Sequence, residues 1–185
     1  MKTVSTLAIA IFATAGLASG AMAAEEKNFD GAYAGLELGF DKMKVTGAGD
    51  ANINDKSLYY GGILGYRTQM DNGLVVGVEG TLGDNSANLF ENARTKHEWS
   101  TSLTLGTTIT DSTLLYGKVG YAEVKNKFTP ADEDSFSVTD GGWRAGVGAE
   151  FALANNISLR TGVDYTRYDS NLKQWQGKAA VVFNF

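Results

Sequence analysis

The side chains best suited to covalent chemistry lie together near the middle of the chain. His97 is the only histidine, and Glu98, Ser100 and Ser102 follow it closely. Acyl transfer to a serine needs a histidine and a carboxylate converging on one hydroxyl group. Alternate side chains of an extended strand point to opposite faces, so His97 would face away from the other three. The segment therefore predicts no catalytic triad, and we expect no enzyme activity.

Candidate metal ligands are sparse and irregularly spaced. The chain has no cysteine, which excludes thiolate metal sites and thiol redox sites. Acidic residues occur at Asp50 and Asp55 and in the run 132–134, and the latter run is short and lacks the spacing of a calcium-binding loop. We interpret both groups as hydrated surface segments, and we expect no metal and no cofactor.

The overall composition excludes several classes of protein. The 185 residues carry a formal charge of −5, whereas nucleic-acid-binding domains need a basic face. The mean hydropathy of −0.15 leaves no room for a bundle of membrane-spanning helices. The 23 glycines are unusual, because neither helices nor strands favour glycine, and here they lie within regular patterns.

The N-terminal segment has the pattern of an export signal. Lys2 precedes an apolar stretch over 4–17, and the small residues at 21–23 fit a cleavage site. An uncleaved membrane helix is disfavoured because the apolar core is short and rich in alanine. We predict a signal peptide at 1–23, with cleavage after Ala23 or Ala24, and one exported domain over 24–185.

The rest of the chain alternates apolar and polar residues with the period of two that is typical of half-buried strands. Short connections carry the Asn, Asp or Gly of tight turns, at 68–73, 110–112 and 153–156. Longer polar connections intervene, at 43–56, 84–96, 126–138 and 169–174. Short turns at one rim and longer loops at the other are typical of outer-membrane barrels. The pattern predicts eight strands, at 30–42, 57–68, 74–83, 97–109, 113–125, 139–152, 157–168 and 175–185.

Each predicted strand has one apolar face and one face of charged residues and glycine. In the sixth strand, Trp143, Ala145 and Val147 alternate with Arg144 and Gly146. A soluble barrel that binds an apolar ligand would also alternate, with its apolar face inside. In a membrane barrel the charged face is enclosed, and enclosed charges must be paired.

On the membrane interpretation, the predicted interior ion network consists of Glu37, Arg67, Glu79, Lys118, Arg144, Glu150, Arg160, Asp164 and Lys178. Glycines on neighbouring strands would make room for the long Arg and Lys side chains. The glycines expected in this role are Gly35, Gly39, Gly77, Gly106, Gly120, Gly146, Gly148 and Gly162.

Aromatic residues at the strand ends favour the membrane interpretation. They form two rings separated by aliphatic residues, as in membrane barrels, where Trp and Tyr lie at the level of the lipid headgroups. The predicted aromatic girdles consist of Trp99, Trp143 and Trp175 at the outer ends and Phe151 and Phe183 at the inner ends.

Several segments carry a resemblance to a known family, at 61–66, 76–79, 115–121 and, most specifically, 142–169. The chain resembles the outer membrane protein β-barrel domain of the porin family, in particular the OmpA-like eight-stranded surface proteins of the opacity-protein and RopB group. One departure is at 104–107, where such proteins often have Arg-x-Gly-Tyr and this chain has Thr-Leu-Gly-Thr. The resemblance implies an all-β, antiparallel, up-and-down transmembrane barrel in the outer membrane of a Gram-negative bacterium.

The resemblance also implies partners. A final strand that ends in an aromatic residue resembles the signal read by the barrel-assembly machinery, so Phe185 is the expected assembly signal. We expect this machinery, periplasmic chaperones, outer-membrane lipid and lipopolysaccharide as partners, and no nucleic acid; a host or surface ligand is conceivable but unidentified. The loop lysines that could meet lipopolysaccharide phosphates are Lys42, Lys44, Lys56, Lys96, Lys125 and Lys127.

The expected function is structural. Eight strands enclose an interior that side chains just fill, whereas channels use 16 or more strands. We therefore expect a surface-exposed barrel with a filled, non-conducting interior and with outer loops available for adhesion or surface interaction. The alternatives are a lipid A-modifying enzyme of the outer membrane, whose activity would depend on His97, and a small-solute porin.

Overall fold

The protein folds into a closed barrel of eight antiparallel strands. The structure is a computed structural model, and it describes residues 27–45, 56–86, 96–128, 136–154, 156–169 and 172–185. Consecutive strands pair with each other and β1 pairs with β8, so the sheet has no open edge. The predicted fold class is confirmed. The strands are β1 (Gly31–Val45), β2 (Lys56–Gln69), β3 (Leu74–Ser86), β4 (Lys96–Thr110), β5 (Thr113–Phe128), β6 (Phe136–Ala154), β7 (Ile157–Tyr168) and β8 (Leu172–Asn184).

Most strands extend further than predicted at the outer end, which we define as the end reached after β1, β3, β5 and β7. The inner end carries the short turns. The β5–β6 pair, for example, continues to Phe128 and Phe136, beyond the predicted limits at 125 and 139. Outside lipid both faces of a strand can be polar, so the alternation fades while the backbone pairing continues. The predicted signal peptide and the centres of the long outer loops lie outside the described residues.

The pairing register fixes the tilt of the strands. Directly paired residues followed from Ala34 through each strand in turn lead back to β1 at Lys44, ten residues further along. An offset of ten over eight strands corresponds to a tilt of about 40° from the barrel axis. A barrel of this size has an interior that side chains alone can fill.

The apolar face of the sheet points outward. On β1, Leu36, Leu38 and Phe40 are 73%, 60% and 71% exposed, whereas Glu37 between them is 4% exposed. Exposed leucine next to buried carboxylate reverses the pattern of soluble proteins, and surrounding lipid accounts for it. This arrangement rules out the soluble barrel with an apolar interior. Within the described residues, no helix is long and apolar enough to cross a membrane.

Four residues that precede β1 close the inner mouth of the barrel. Within this inner plug, residues 27–30, the Phe29 ring is fully buried against Val75 and Leu114. The Phe29 backbone N–H donates a hydrogen bond to the Gln69 side-chain oxygen at 3.2 Å. The alternation of β1 did not predict this plug, because it precedes the strand.

Two glycines with positive φ form tight corners at the inner end. Gly31 (φ 99°) turns the plug into β1, and a Cβ there would lie 2.7 Å from the Phe185 carbonyl oxygen. Gly73 (φ 80°) ends the turn between β2 and β3. In the same turn, a 2.7 Å hydrogen bond from the Lys27 ammonium lowers the pKa of the exposed Asp71 carboxyl.

Candidate functional site: barrel interior and outer rim

A continuous chain of ion pairs crosses the interior. It starts near the inner end with Arg67, whose guanidinium donates two hydrogen bonds of 2.9 Å to the Glu150 carboxylate. Glu150 also accepts a 2.8 Å hydrogen bond from Arg160, and Arg160 donates to Glu79 at 2.6 Å. All four side chains are buried. Two arginines and two glutamates thus alternate across the inner half of the barrel.

The ion chain continues through two lysines toward the outer half. The Lys118 ammonium lies 3.3 Å from Glu79 and 3.1 Å from Asp164. The Lys178 ammonium lies 3.3 Å from Asp164 and 3.4 Å from Glu37. Positive and negative groups alternate along this ion chain, so each of its eight charges has a partner of opposite sign, as burial requires.

The interior ion chain therefore contains eight of the nine predicted network residues, drawn from every strand except β4. The ninth, Arg144, lies in a separate cluster nearer the outer end. It donates to Glu98 at 2.5 Å and to the Thr166 hydroxyl at 2.8 Å. The Gln174 amide nitrogen lies 3.5 Å from Glu98 and 3.2 Å from Asp41, so it joins these two carboxylates.

Buried tyrosines support the ion chain. The Tyr33 ring lies between the guanidiniums of Arg67 and Arg160, at 4.7 and 4.9 Å from its centroid. Its hydroxyl donates to Glu79 at 2.9 Å. The Tyr59 hydroxyl likewise donates to the carboxylate of Glu37, at the outer end of the ion chain, at 2.6 Å. The interior thus combines charge pairs with aromatic rings that stack on the cations and fill the space between them.

Several interior glycines make room for buried tyrosine rings. A Cβ at Gly148 would lie 2.6 Å from the Tyr116 hydroxyl oxygen, and one at Gly162 would lie 3.1 Å from it. In the same way, the Tyr33 ring fills the space that a Cβ at Gly65 would need, and the Tyr59 ring fills the space that a Cβ at Gly83 would need. At Gly148 and Gly162 the side chain nearest to a built Cβ is therefore Tyr116, and not the Arg or Lys side chain that was expected there.

For the other predicted glycines the outcome differs from position to position. Gly39, Gly77 and Gly146 do border Lys178, Arg67 and Lys118, as expected. Gly35 faces Ile63, Gly106 faces Leu114 and the Tyr116 Cβ, and Gly120 faces Ser102. Of these six glycines, three therefore border an Arg or Lys side chain, and three border other groups.

Two small cavities lie between these groups. A cavity of about 10 Å³ lies beside Lys118, Asp164 and Lys178. A second, also of about 10 Å³, lies beside Arg67 and Tyr33. Each is close to the minimum that holds one water molecule.

Sequence reasoning left several interior residues out of the network, and strand parity could have found them. Tyr33 and Tyr59 occupy inward positions of β1 and β2, in step with Glu37 and Arg67. From the sequence, Glu98 stands out only as a neighbour of His97. Its inward parity on β4, opposite in face to Trp99, would have placed it with Arg144.

The candidate catalytic residues do not converge. His97 points outward at the outer rim, 68% exposed, where its ring nitrogen lies 2.5 Å from the Asp84 carboxylate. Glu98 is buried on the opposite face, and the Ser100 hydroxyl hydrogen-bonds to Thr81 at 2.7 Å. Within the described residues there is also no group of three or more His, Cys, Asp or Glu side chains that could hold a metal ion.

The predicted outer girdle residues lie on the outward face at one level. Trp143 packs edge-on against Tyr121, with ring centroids 6.4 Å apart. Trp175 packs against Tyr165 with centroids 4.9 Å apart. Trp99 is half-buried at the outer end of β4. Two further aromatic residues, both tyrosines, thus extend this ring.

The inner girdle residues lie at a second level. Phe151 and Phe183 point outward and are 40% and 42% exposed. Phe151 follows Trp143 by eight residues on β6, which places the two levels about 20 Å apart along the axis at a tilt of about 40°. Phe185 also points outward, and its backbone N–H donates to the Ala32 carbonyl at 2.9 Å.

Two curated relatives match nearly the whole chain. The 31 kDa outer-membrane immunogenic protein of Brucella melitensis is 29% identical over 211 residues, which cover 90% of this chain and 87% of that protein. The 25 kDa outer-membrane immunogenic protein of Brucella ovis is 28% identical over 167 residues, which cover 88% of this chain and 81% of that protein. Both are named as outer-membrane proteins, and neither name describes an enzyme.

Solved structures share the fold. Ail, the attachment invasion locus protein of Yersinia pestis, matches with a TM-score of 0.63 and 19% identity, covering 84% of this chain and 99% of Ail. Neisserial surface protein A matches with a TM-score of 0.64 and 18% identity, covering 84% of this chain and 98% of that one. Residues 10–185 match the family described as "Outer membrane protein beta-barrel domain". The chain belongs to this family and is an outer-membrane β-barrel surface protein.

Proposed function

We propose that this barrel is a structural surface protein with a closed, non-conducting interior, and that its outer loops contact molecules outside the cell. The observation that carries the proposal is the ion chain across the interior. Solute passage would require separating buried pairs such as Arg160–Glu79 at 2.6 Å and Arg67–Glu150 at 2.9 Å. Removing one partner from a buried pair costs about 3–5 kcal/mol, so spontaneous opening of several pairs is rare.

Conductance of the purified protein tests the closed interior. The protein is refolded, its fold is checked by a mobility shift of the unboiled sample on a gel, and single insertions are recorded in planar bilayers. We expect no stable open state. A uniform channel of nanosiemens scale from the monomer would contradict the proposal and favour the small-solute porin.

We also propose that the barrel is not an enzyme. The described residues bring no serine, histidine and carboxylate together, and His97 pairs instead with Asp84 at the rim. The test compares lipid A from cells that produce the native protein, His97→Ala, or no protein. Identical lipid A in all three is expected, whereas a modification that requires the native protein and is lost in His97→Ala would support the enzyme alternative.

Assembly is proposed to depend on Phe185 and on the barrel-assembly machinery, after escort by periplasmic chaperones. Phe185 is 76% exposed on the outward face, so its ring is accessible when the last strand forms. In cells, Phe185→Ser should lower the amount of folded barrel in the outer membrane. The matched control is Phe183→Ser two residues earlier, and equal assembly of Phe185→Ser and the native chain would contradict this role.

The surface role is supported by the names of the relatives, which describe them as immunogenic, and of a structural neighbour, described as an attachment invasion locus protein. We propose that the outer loops of this chain form the corresponding contact surface. Variants with shortened outer loops should still show the mobility shift of a folded barrel but lose binding of intact bacteria to host cells. Undiminished binding by all of them would contradict the adhesive role.

A further inference from the structure

Three adjacent strands carry a cation directly beyond an outward aromatic ring. On β7, β8 and β1 the cation lies two residues closer to the outer end than the ring, on the same face of the strand. We call these cations the basic rim patch; they are Lys42, Arg167 and Lys173, and the corresponding rings belong to Phe40, Tyr165 and Trp175.

The basic rim patch occupies one side of the barrel only. On β3, β4, β5 and β6, the position beyond the last large outward side chain of the belt carries no Lys or Arg; these positions are Asp84, His97, Glu123 and Gly141. On β2, which adjoins β1, Leu58 is itself the last large outward side chain, and the position beyond it is Lys56. The outward rim is therefore basic on β7, β8 and β1 and acidic on β3 and β5.

The cations of the basic rim patch are paired with other cations across the strands. Arg167 is paired directly across the strands with Lys173, and backbone pairing places Lys44 beside Lys173 and Lys56 beside Lys42. Like charges directly opposite each other destabilise a sheet. In the part of the chain that the structure describes, no carboxylate lies within 4.0 Å of Lys42, Arg167 or Lys173. A bound anion would relieve this repulsion.

We infer that the basic rim patch binds the phosphate groups of a phosphorylated glycolipid in the outer leaflet. The aromatic rings fix the level of the lipid headgroups, and the cations lie just beyond that level, where lipid phosphates are found. Acyl chains of the same lipid would lie along the apolar belt below. This inference goes beyond the proposed function, because it gives a site to the lipopolysaccharide partner expected from the sequence. It depends on the outer-membrane location but not on a closed interior.

Binding of diphosphoryl lipid A to the folded protein in neutral detergent tests the inference. Each of Lys42→Gln, Arg167→Gln and Lys173→Gln should weaken binding about fivefold, and the triple variant more strongly. Lipid A from which both phosphates are removed should bind the native protein at least about tenfold more weakly. Every variant is first checked for the mobility shift of a folded barrel.

Two controls separate the patch from net charge. Lys27→Gln removes one charge at the opposite end and should leave lipid binding unchanged, and Glu123→Gln on the acidic side should not weaken it.

Equal binding by the triple variant and the native protein would overturn the inference, as would equal binding of phosphorylated and dephosphorylated lipid. Displacement of the lipid by low-millimolar inorganic phosphate would assign the patch to free phosphate, and a change in oligomeric state alone would assign it to a second copy; both would overturn it. Bilayer conductance is measured separately, so failure of the closed interior is distinguishable from failure of this inference.

Discussion

The Arg160 side chain contacts two carboxylates and two aromatic rings in the interior at the same time. Its guanidinium contacts Glu79 and Glu150, at 2.6 and 2.7 Å, and lies between the rings of Tyr33 and Tyr116. A planar, permanently charged group with several donors can satisfy all four neighbours, whereas a lysine could not reproduce the stacking and the bidentate contacts.

Arg160→Ala should lower the free energy of unfolding by about 3–5 kcal/mol, because two buried carboxylates lose a shared partner. Urea unfolding in vesicles of neutral phospholipid measures the change. Arg167→Ala on the same strand is the matched control, and it should change stability by less than about 1 kcal/mol because Arg167 is exposed. Equal effects of the two variants would show that the ion chain does not stabilise the barrel.

The fit of Tyr116 over glycine gives a second test with a single methyl group. Gly148→Ala places a Cβ against the Thr161 carbonyl oxygen and 2.6 Å from the Tyr116 hydroxyl oxygen, and it should destabilise the barrel by about 1–3 kcal/mol. Gly177→Ala is the control, because no atom lies within 4 Å of a Cβ built there, and it should stay within about 0.5 kcal/mol of the native protein. The same unfolding measurement serves both variants, and a neutral Gly148→Ala would indicate that the Tyr116 ring and the Thr161 carbonyl group both move without cost.

Among the structural elements, the inner plug is the least regular and the most dependent on one side chain. Phe29 fills the mouth against Val75 and Leu114, and the Arg67 guanidinium lies 5.2 Å from its ring centroid. The plug therefore covers the inner end of the ion chain.

Phe29→Ala should cost about 3–5 kcal/mol of stability, because it empties a fully buried site. Phe183→Ala on the lipid face should cost less than about 1 kcal/mol, because lipid chains fill the space. Urea unfolding measures both, and bilayer recording of Phe29→Ala should still show no channel. A channel in that variant would mean that the plug, and not the ion chain, closes the barrel.

The strands themselves could be predicted where lipid and interior impose opposite polarity. The alternation of Leu36, Leu38 and Phe40 with Glu37 fixes which face of β1 points outward once the barrel is inferred. Toward the outer rim this contrast ends, so the extensions of β5 and β6 to Phe128 and Phe136 had no sequence signal. They follow from backbone pairing, which is indifferent to the polarity of the side chains.

At the scale of the whole molecule, a charged side chain introduced in the outward apolar belt should lower the stability of the barrel, and most strongly at mid-depth, because the belt contacts lipid. Leu103→Arg, in the middle of the belt on β4 and 63% exposed, should destabilise the barrel by about 2–4 kcal/mol. Thr139→Arg, beyond the outer girdle on β6, should cost about 0–1 kcal/mol. Unfolding from phospholipid vesicles measures both, and a tolerated Leu103→Arg would contradict contact of this face with lipid.

The sequence predicts which residues belong to the ion chain far better than it predicts which of them pair with each other. Parity along the strands is enough to select Glu37, Glu79 and Arg160 as inward charges. Which cation meets which carboxylate depends on the offset of ten residues around the barrel, and that offset depends on pairing that a single sequence does not reveal. For the same reason the separation of Arg144 from the main chain, and its pairing with Glu98, required the structure.

The ion chain links parts of the polypeptide that are far apart in the sequence. Lys178 and Glu37 are 141 residues apart, and Arg67 and Glu150 are 83 apart. A partly formed sheet that lacks β8 would leave Glu37 and Asp164 without Lys178, so partial structures gain little from the charges they already hold. Folding should therefore be slow and cooperative, with the joining of β1 to β8 as a late event. The same contacts, if absent from the transition state, would make unfolding slow, so the folded barrel would persist for kinetic as well as thermodynamic reasons.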